Sequence, residues 1–96
     1  MKVHELLSTP EKWCQGAFAL DADGRQSLGW RFPFAVRWSL LGAIGKCYAA
    51  NEQVRLHRLI LGALRYRGWT GDIVDWHEAP DRTHAEVLKL AKALDI

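Results

Sequence analysis

The stretch from Phe34 to Ala49 is the least polar part of the chain and constrains the fold most. Apart from Tyr48, its polar side chains are Arg37, Ser39 and Lys46. A surface helix has one apolar stripe, whereas a helix that is apolar on most sides must be buried on most sides. We therefore predict that this stretch forms the central helix of a small globular domain.

Two faces of the predicted central helix are apolar. The first consists of Val36, Leu40, Ala43, Ile44 and Cys47, and the second of Trp38, Leu41, Gly45 and Tyr48. Gly42 and Gly45 lack a side chain that would keep a neighbour away from the helix backbone. They predict a close approach by another element, and our candidate is the leucine face of the next helix.

The length of 96 residues fits one domain, residues 1–96. A domain of this size buries only about 60% of the surface that its unfolded chain exposes, so each of the five tryptophans matters to the core. Hydrophobic residues make up 49% of the chain and charged residues 25%. This balance is typical of a folded globular protein and excludes a disordered one.

The charge is unevenly distributed although the net charge is only +2. Between Arg25 and Arg67 there are eight positive residues and one negative, whereas both ends of the chain are acidic. The acidic ends could fold back against the basic middle, or the middle could present a basic surface to an acidic partner. The sequence leaves both interpretations open.

No targeting segment is visible in the sequence. His4 and Glu5 stand where a signal peptide needs apolar residues, and no run approaches the ~18 apolar residues of a membrane span. We expect a cytoplasmic protein that does not contact a membrane. Cys14 and Cys47 are then expected to be reduced thiols.

Further helices are predicted, and the stretch Lys2–Leu7 could form one or two helical turns. Thr9 and Pro10 form a helix start, with a hydroxyl cap followed by proline at the first position. A second helix is predicted from Glu52 to Arg67, where the apolar residues follow helical spacing up to the stop signal of Gly68. The last helix is predicted from His84 to Leu94, after a Thr83–Glu86 capping box.

Strands are predicted in short segments. Gly16–Leu20 runs into a tight turn from Asp21 to Gly24, and Ser27–Arg31 is a candidate return strand. Ile73–Trp76 has β-branched character and is predicted to pair with Gly16–Leu20. The predicted fold class is therefore α+β and mainly helical, with a central buried helix packed by two further helices and a sheet of two or three strands.

The second helix carries a basic face opposite its leucines, formed by Arg55, Arg58 and Arg65. Arginines in a row can neutralise phosphates, which makes nucleic-acid binding a candidate function. The alternative is a solvated face whose arginines cover apolar surface with their stems. No recognition-helix pattern or base-stacking aromatic pair accompanies the row, so the solvated face is the preferred interpretation.

A second candidate site lies in the loop before the last helix, at Trp76, His77, Asp81 and His84. The histidines and aspartate could supply zinc ligands, with Glu78 as a general base. Pro80 argues against one continuous helix through this loop, so helical spacing does not bring the ligands together. We expect no metal and no cofactor here, and a loop that fixes the start of the last helix.

Trp30 and Trp69 are predicted to lie outside the helix faces. Tryptophan and arginine are enriched at binding hot spots, so these two residues are candidate partner contacts. Their alternative role is to seal the ends of a small core. Ser39 and Cys47 lie in the predicted buried helix without a nucleophile motif or an adjacent histidine, so an enzyme is not expected.

The order of motifs resembles a family of small uncharacterised bacterial and phage proteins that is catalogued as a domain of unknown function. The matching features are Trp13-Cys-Gln-Gly-Ala17, Asp21-x-Asp-Gly24, Ala35-x-Arg-Trp38 with Leu41-Gly-Ala43, and Trp76 followed by Pro80, Thr83 and Glu86-Val87. Ser39 departs from the family pattern, in which cysteine often follows the tryptophan, and His77-Glu78 departs from an asparagine-aspartate pair. The resemblance implies this architecture and a phage or prophage setting, and it supplies no activity.

Together these observations predict a non-enzymatic interaction or regulatory module that binds a partner protein. The alternative is a nucleic-acid-binding protein that uses Arg55, Arg58 and Arg65. A metal-dependent or other enzyme is the third hypothesis.

Overall fold

The computed structural model joins short helices to a small antiparallel sheet. It describes residues 1–96, apart from the side chain of Trp30. In chain order the elements are helix α1 (Val3–Leu6), a first 3₁₀ helix (Pro10–Lys12), strand β1 (Ala19–Leu20), a second 3₁₀ helix (Gly29–Phe34), strand β2 (Arg37–Trp38) and helices α2 (Leu40–Cys47), α3 (Ala50–Tyr66), α4 (Ile73–His77) and α5 (His84–Ala93). The predicted fold class, mainly helical α+β, is confirmed.

Helix α3 confirms the predicted second helix and begins two residues earlier. It buries Leu56, Ile60 and Leu64, which are spaced at helical intervals. It ends at Tyr66, and Gly68 beyond it has a φ of +89°, the left-handed conformation that glycine adopts at low cost. The N–H of Trp69 then donates to the carbonyl of Leu64 over 2.9 Å, which satisfies one of the open carbonyls of the last turn.

Helix α5 confirms the predicted last helix and its capping box. The N–H of Glu86 donates to Thr83 Oγ1 over 3.2 Å, and the N–H of Thr83 donates to Glu86 Oε1 over 3.0 Å. Each side chain thus satisfies a backbone donor that the first turn of a helix leaves open. The first 3₁₀ helix begins at Pro10, after Thr9, as predicted, but the predicted hydroxyl cap is wrong, because the Thr9 side chain makes no capping hydrogen bond.

The predicted central helix is shorter than the apolar stretch, because α2 covers only Leu40–Cys47. The preceding residues are extended and pair with β1, with Ala19 opposite Trp38. Ser39 is the N-cap of α2, and its Oγ accepts the N–H of Gly42 over 3.0 Å. The prediction treated this serine as a residue of the helix interior, whereas a serine at such a boundary favours a helix start.

The predicted strand Ile73–Trp76 is wrong, because these residues begin helix α4. Asp72 caps this helix by accepting the N–H of Asp75 over 2.8 Å. Ile73, Trp76 and His77 are buried on one side at helical spacing, and this packing overrides the β preference of the β-branched residues. The sheet therefore has β1 and β2 as its strands, and β1 pairs with β2 rather than with α4.

The connection between β1 and β2 begins with the predicted turn. Asp21 Oδ1 accepts the N–H groups of Asp23 and Arg25, and Gly24 has a φ of +80°. The predicted return strand Ser27–Arg31 is wrong. Most of its residues enter the second 3₁₀ helix, and the pairing in this connection is a single bridge between Leu20 and Gln26.

The backbone of α2 is approached closely, but by a different element than predicted. A Cβ at Gly42 would collide with the backbone carbonyl of Phe18, and a Cβ at Gly45 would lie 3.1 Å from the end of the Phe18 ring. The segment before β1, and not the leucine face of α3, therefore occupies the space that these glycines leave.

The core lies where α2 packs against α1 and α3, while α5 packs on α1 and α4 on α3. Its largest fully buried side chains are Leu7, Leu40, Leu56, Ile60, Leu64, Ile73 and Leu90. In the described part of the chain, no helix combines the length and the apolar composition that crossing a bilayer requires.

Candidate functional site

A cleft of about 330 Å³ opens between the segment before β1, the start of α2 and helix α4. Most of its wall is apolar or small. The lining residues are Gly16, Ala17, Phe18, Ser39, Leu41, Val74, His77 and Glu78. These residues are far apart in the sequence, so the fold assembles the cleft from three separate segments.

His77 is the polar centre of the cleft and is only 3% exposed. Its Nε2 lies 2.7 Å from Trp13 Nε1 and 3.3 Å from the backbone N of Leu40. Indole and backbone N–H groups can only donate, so Nε2 must be the acceptor and carry no proton. The ring proton then lies on Nδ1, which is 3.1 Å from Glu78 Oε1.

The charge state of His77 follows from the same surroundings. Burial lowers the pKa of His77 below its ordinary value of 6.5, and the hydrogen bond to Glu78 opposes this shift only in part. Protonation of Nε2 would also direct its new N–H against the two N–H groups that now donate to this nitrogen. His77 is therefore a neutral imidazole at pH 7.

Glu78 and Gln15 fasten the segment before β1 to the end of α4. Glu78 Oε2 accepts the N–H of Gly16 over 2.7 Å. Gln15 Nε2 donates to the backbone carbonyls of His77 over 2.7 Å and of Ala79 over 3.2 Å. These bonds join residues more than 60 positions apart, so they fix the width of the cleft.

Ser39, His77 and Glu78 line one cleft and together match the residue types of a hydrolase triad. Ser39 Oγ, however, donates to the carbonyl of Phe18 over 3.0 Å and accepts the N–H of Gly42. The acceptor nitrogen of His77 is already bound to two donors of the scaffold. A triad needs a hydrogen bond from the nucleophile to the base, and here both groups are bound elsewhere.

The thiol beside the cleft is also unsuited to nucleophilic chemistry. Cys14 is buried, with its Sγ 3.8 Å from the carbonyl of Ala17. Burial raises the pKa of this thiol to about 11, so it stays protonated at neutral pH. Burial likewise raises the pKa of Cys47.

The four loop candidates from the sequence do not form one site. Trp76 is a core residue, with the Arg82 guanidinium 4.0 Å from its ring centroid. His77 and His84 each contact the Trp13 ring, at centroid distances of 5.6 and 6.1 Å, and His84 Nε2 lies 2.6 Å from the carbonyl of Leu7.

Asp81, the fourth loop candidate, is exposed to solvent. Among the described residues, no three histidine, cysteine or acidic side chains lie close enough to hold a metal ion. Of the four candidates, His77 is therefore the one that lines the cleft.

The arginine candidates on α3 differ in their contacts. Arg55 Nη2 pairs with Glu52 Oε2 over 2.7 Å on the solvent side. Arg65 Nη1 donates to the carbonyls of Trp69 and Gly71, so this arginine closes the turn after the helix. Arg58 is exposed on the same helix. Two of the three arginines therefore have partners within the chain.

The tryptophan candidates also differ. Trp69 is half-buried against the core, and its Nε1 donates to the carbonyl of Asp72 over 3.0 Å. It seals the turn between α3 and α4, which is the structural role that the sequence left open for it. The side chain of Trp30, the other tryptophan candidate, lies outside the described part of the structure.

Comparison with known proteins assigns the chain to a family. The profile of the DUF6197 family of unknown function matches residues 1–94. The chain belongs to this family. No curated protein matches the chain. No solved structure matches it either.

Two of the motifs through which the sequence resembles its family, Trp13–Ala17 and Leu41–Ala43, contribute residues to the cleft or to its hydrogen bonds. Ser39, His77 and Glu78, which depart from the family pattern, also line it. Sequence reasoning did not single out Trp13 or Gln15 as site residues. Their place in the Trp13-Cys-Gln-Gly-Ala17 motif was the one signal that could have identified them.

Proposed function

We propose that this member of DUF6197 is a non-enzymatic module that binds a partner protein through the cleft. The observation that carries the proposal is the contrast between an open, mainly apolar wall and polar groups that are already bound to the scaffold. Such a site can bury a partner's side chain, while its serine and histidine are both held by hydrogen bonds to the scaffold.

Exposed apolar side chains around the cleft support this function. Val74 on its rim is 50% exposed and Phe18 is 40% exposed. The Phe18 ring contacts Phe32, with 5.8 Å between centroids, and thereby connects the cleft to the β1–β2 connection. That connection exposes Phe34 and Leu28 as well. Exposed apolar side chains beside a cleft, such as Val74 and Phe18, are typical of protein-binding surfaces.

We propose a phage or prophage origin for the protein because its sequence resembles a family of bacterial and phage proteins. A phage or prophage protein that acts in the cytoplasm by occluding or adapting a host protein would need a small binding domain and no catalytic site. The partner and its process are the subject of the experiment below.

The experiment fills the cleft and compares the proteins that the domain retains. Val74→Trp places a large ring at the rim, whereas Val54→Trp makes the same change at a valine of α3 that is 56% exposed. Tagged wild type and both variants are incubated with lysate of the source cell, and bound proteins are quantified by mass spectrometry. We expect one protein to be retained by wild type and Val54→Trp and lost with Val74→Trp. Equal retention by all three forms would contradict a role for the cleft.

Nucleic-acid binding stays a prediction for the outer face of α3. Its support is the exposure of Arg55 and Arg58 on one helix. Because Arg65 closes the turn after α3, its replacement would alter the fold as well as the charge. A clean test therefore reverses Arg55 and Arg58 alone and measures DNA and RNA retention at low salt.

A further inference from the structure

We infer that the side chain that enters the cleft is a lysine in a basic segment of the partner. This inference rests on the proposed function and specifies the chemistry of the contact. It follows from the charge of Glu78, the apolar walls and the acidic surface of α4.

Glu78 brings an uncompensated negative charge to the cleft. Its side chain is 34% exposed. The described contacts of its two oxygens are with the N–H of Gly16 and with Nδ1 of His77. Both donors are neutral, because the acceptor role of His77 Nε2 leaves that ring with a single proton. A cation in the cleft would therefore meet a carboxylate that is hydrogen-bonded to neutral donors and forms no described ion pair with lysine or arginine.

The remaining walls suit the stem of a long aliphatic side chain. Ala17, Phe18, Leu41 and Val74 present carbon atoms to the cleft. Lysine buries its four methylene groups along apolar surface while its ammonium stays at a polar site. The volume is at the lower end of the ~300–1,000 Å³ typical of ligand sites, which leaves room for one such side chain.

Lysine fits the carboxylate better than arginine does. Each oxygen of Glu78 already accepts one hydrogen bond from the scaffold. The guanidinium fork of arginine is strongest when both oxygens are free to accept in parallel. An ammonium group is a compact charge that needs one free lone pair.

The surface of α4 indicates that the rest of the partner segment is basic. Asp72 and Asp75 are exposed within two residues of the rim residue Val74, and Asp81 is exposed in the loop after α4. The nearby Arg82 is bonded to the Trp76 carbonyl and pairs its charge with Glu86. Opposite charge across an interface favours association and discriminates against acidic segments.

The test uses short peptides on the intact ¹⁵N-labelled chain. The probe is acetyl-Gly-Gly-Lys-Gly-Gly-amide, and the comparison peptides carry norleucine or arginine in place of lysine. Amide shifts of Gly16, Ala17 and Leu41 report occupation of the cleft. We expect saturable shifts with the lysine peptide. Glu78→Gln should lower the affinity for this peptide about tenfold. Asp75→Asn removes an acid outside the cleft lining and should lower the affinity less than twofold.

A salt titration of the wild type keeps the test valid if Glu78→Gln disturbs the cleft. Glutamine would offer an NH₂ group or an oxygen to His77 and Gly16, and one of those two bonds could be lost. In the wild type, added NaCl should lower the affinity for the lysine peptide and leave the affinity for the norleucine peptide unchanged.

Several results would overturn the inference. Norleucine or arginine peptides that bind as tightly as the lysine peptide would remove the case for an ammonium group. Spermidine that binds more than tenfold tighter than the lysine peptide would indicate a free amine rather than a partner protein. Absence of cleft shifts with every peptide would also refute the lysine contact. The proposed protein binding is judged separately by the Val74→Trp and Val54→Trp pair.

Discussion

The cleft and the outer face of α3 both carry several polar side chains, but the hydrogen bonds of the two regions join residues at very different separations in the sequence. In the cleft, Trp13 bonds to His77 across 64 positions of the sequence. On α3, Arg55 bonds to Glu52 three residues away. Polar groups in the cleft thus hold separate segments together, whereas those on α3 act within their own helix or the turn after it. We therefore expect substitutions in the cleft to lower the free energy of unfolding and substitutions on the outer face of α3 to change it little.

The largest effect is expected at Gly42, where the cleft segment touches α2. Gly42→Ala should destabilise the domain by at least about 3 kcal/mol, because the new methyl group would collide with the backbone carbonyl of Phe18. Urea unfolding followed by circular dichroism measures this cost.

Gly45→Ala is the matched control on the same helix. Its methyl group would meet only the end of the Phe18 ring, which is 40% exposed and can move. The gain in helix propensity of ~1 kcal/mol should offset that contact. Equal destabilisation by both substitutions would refute the close approach of the Phe18 backbone.

His77→Leu should cost about 3 kcal/mol, because it leaves the buried donors of Trp13 and Leu40 without an acceptor. His57→Leu makes the same change on the exposed face of α3 and should alter stability by less than about 0.5 kcal/mol. Urea midpoints of the two variants measure the comparison. Similar losses of stability in His77→Leu and His57→Leu would contradict the expected difference between the cleft and α3.

A smaller effect is expected from pH. His77 has a lowered pKa in the folded chain, so the unfolded chain binds the proton more readily below pH 6.5. The stability that neutral His77 contributes is therefore complete above pH 6.5 and is lost progressively as the pH falls below that value. Urea midpoints should decrease from pH 7 to pH 5 in the wild type. The decrease should be smaller in His77→Leu, and an equal decrease in both would assign it to other groups.

The smallest effect is expected on α3. Arg58→Ala should leave the melting temperature nearly unchanged, because the side chain is exposed. Reversal of Arg55 and Arg58 to glutamate should likewise preserve the fold. If that double variant lost a salt-sensitive retention on DNA or RNA that the wild type showed, the face would be functional rather than only solvated.

Local signals predicted the helices that are defined by spacing and caps. Helix α3 has leucines at helical intervals and a glycine stop, and α5 has a capping box. Helix α4 was missed because two β-branched residues, Ile73 and Val74, outweighed the capping signal of Asp72 in a segment of only five residues. The start of α2 was misplaced because the pairing of Trp38 with Ala19 is a contact between distant segments.

The candidate site could be predicted only in part for the same reason. His77 was identified as a chemically interesting residue, but as a metal ligand with Asp81 and His84. Its actual partners include Trp13 and Leu40, which lie 64 and 37 positions away. Spacing along the chain carries no information on such pairs. The arginines of α3 lie on one helix as predicted, whereas the role of Arg65 in closing the next turn depends on the positions of the Trp69 and Gly71 carbonyls.

His77 is a neutral acceptor that is held by the Trp13 indole, and not a free base. The most direct measurement is a long-range ¹H–¹⁵N spectrum of histidine-labelled protein between pH 5 and pH 8. We expect the His77 ring to show a proton on Nδ1 and an unprotonated Nε2 at pH 7, and to titrate below 6.5. A proton on Nε2 at pH 7, or titration at or above 6.5, would contradict the claim and return His77 to the list of possible catalytic bases.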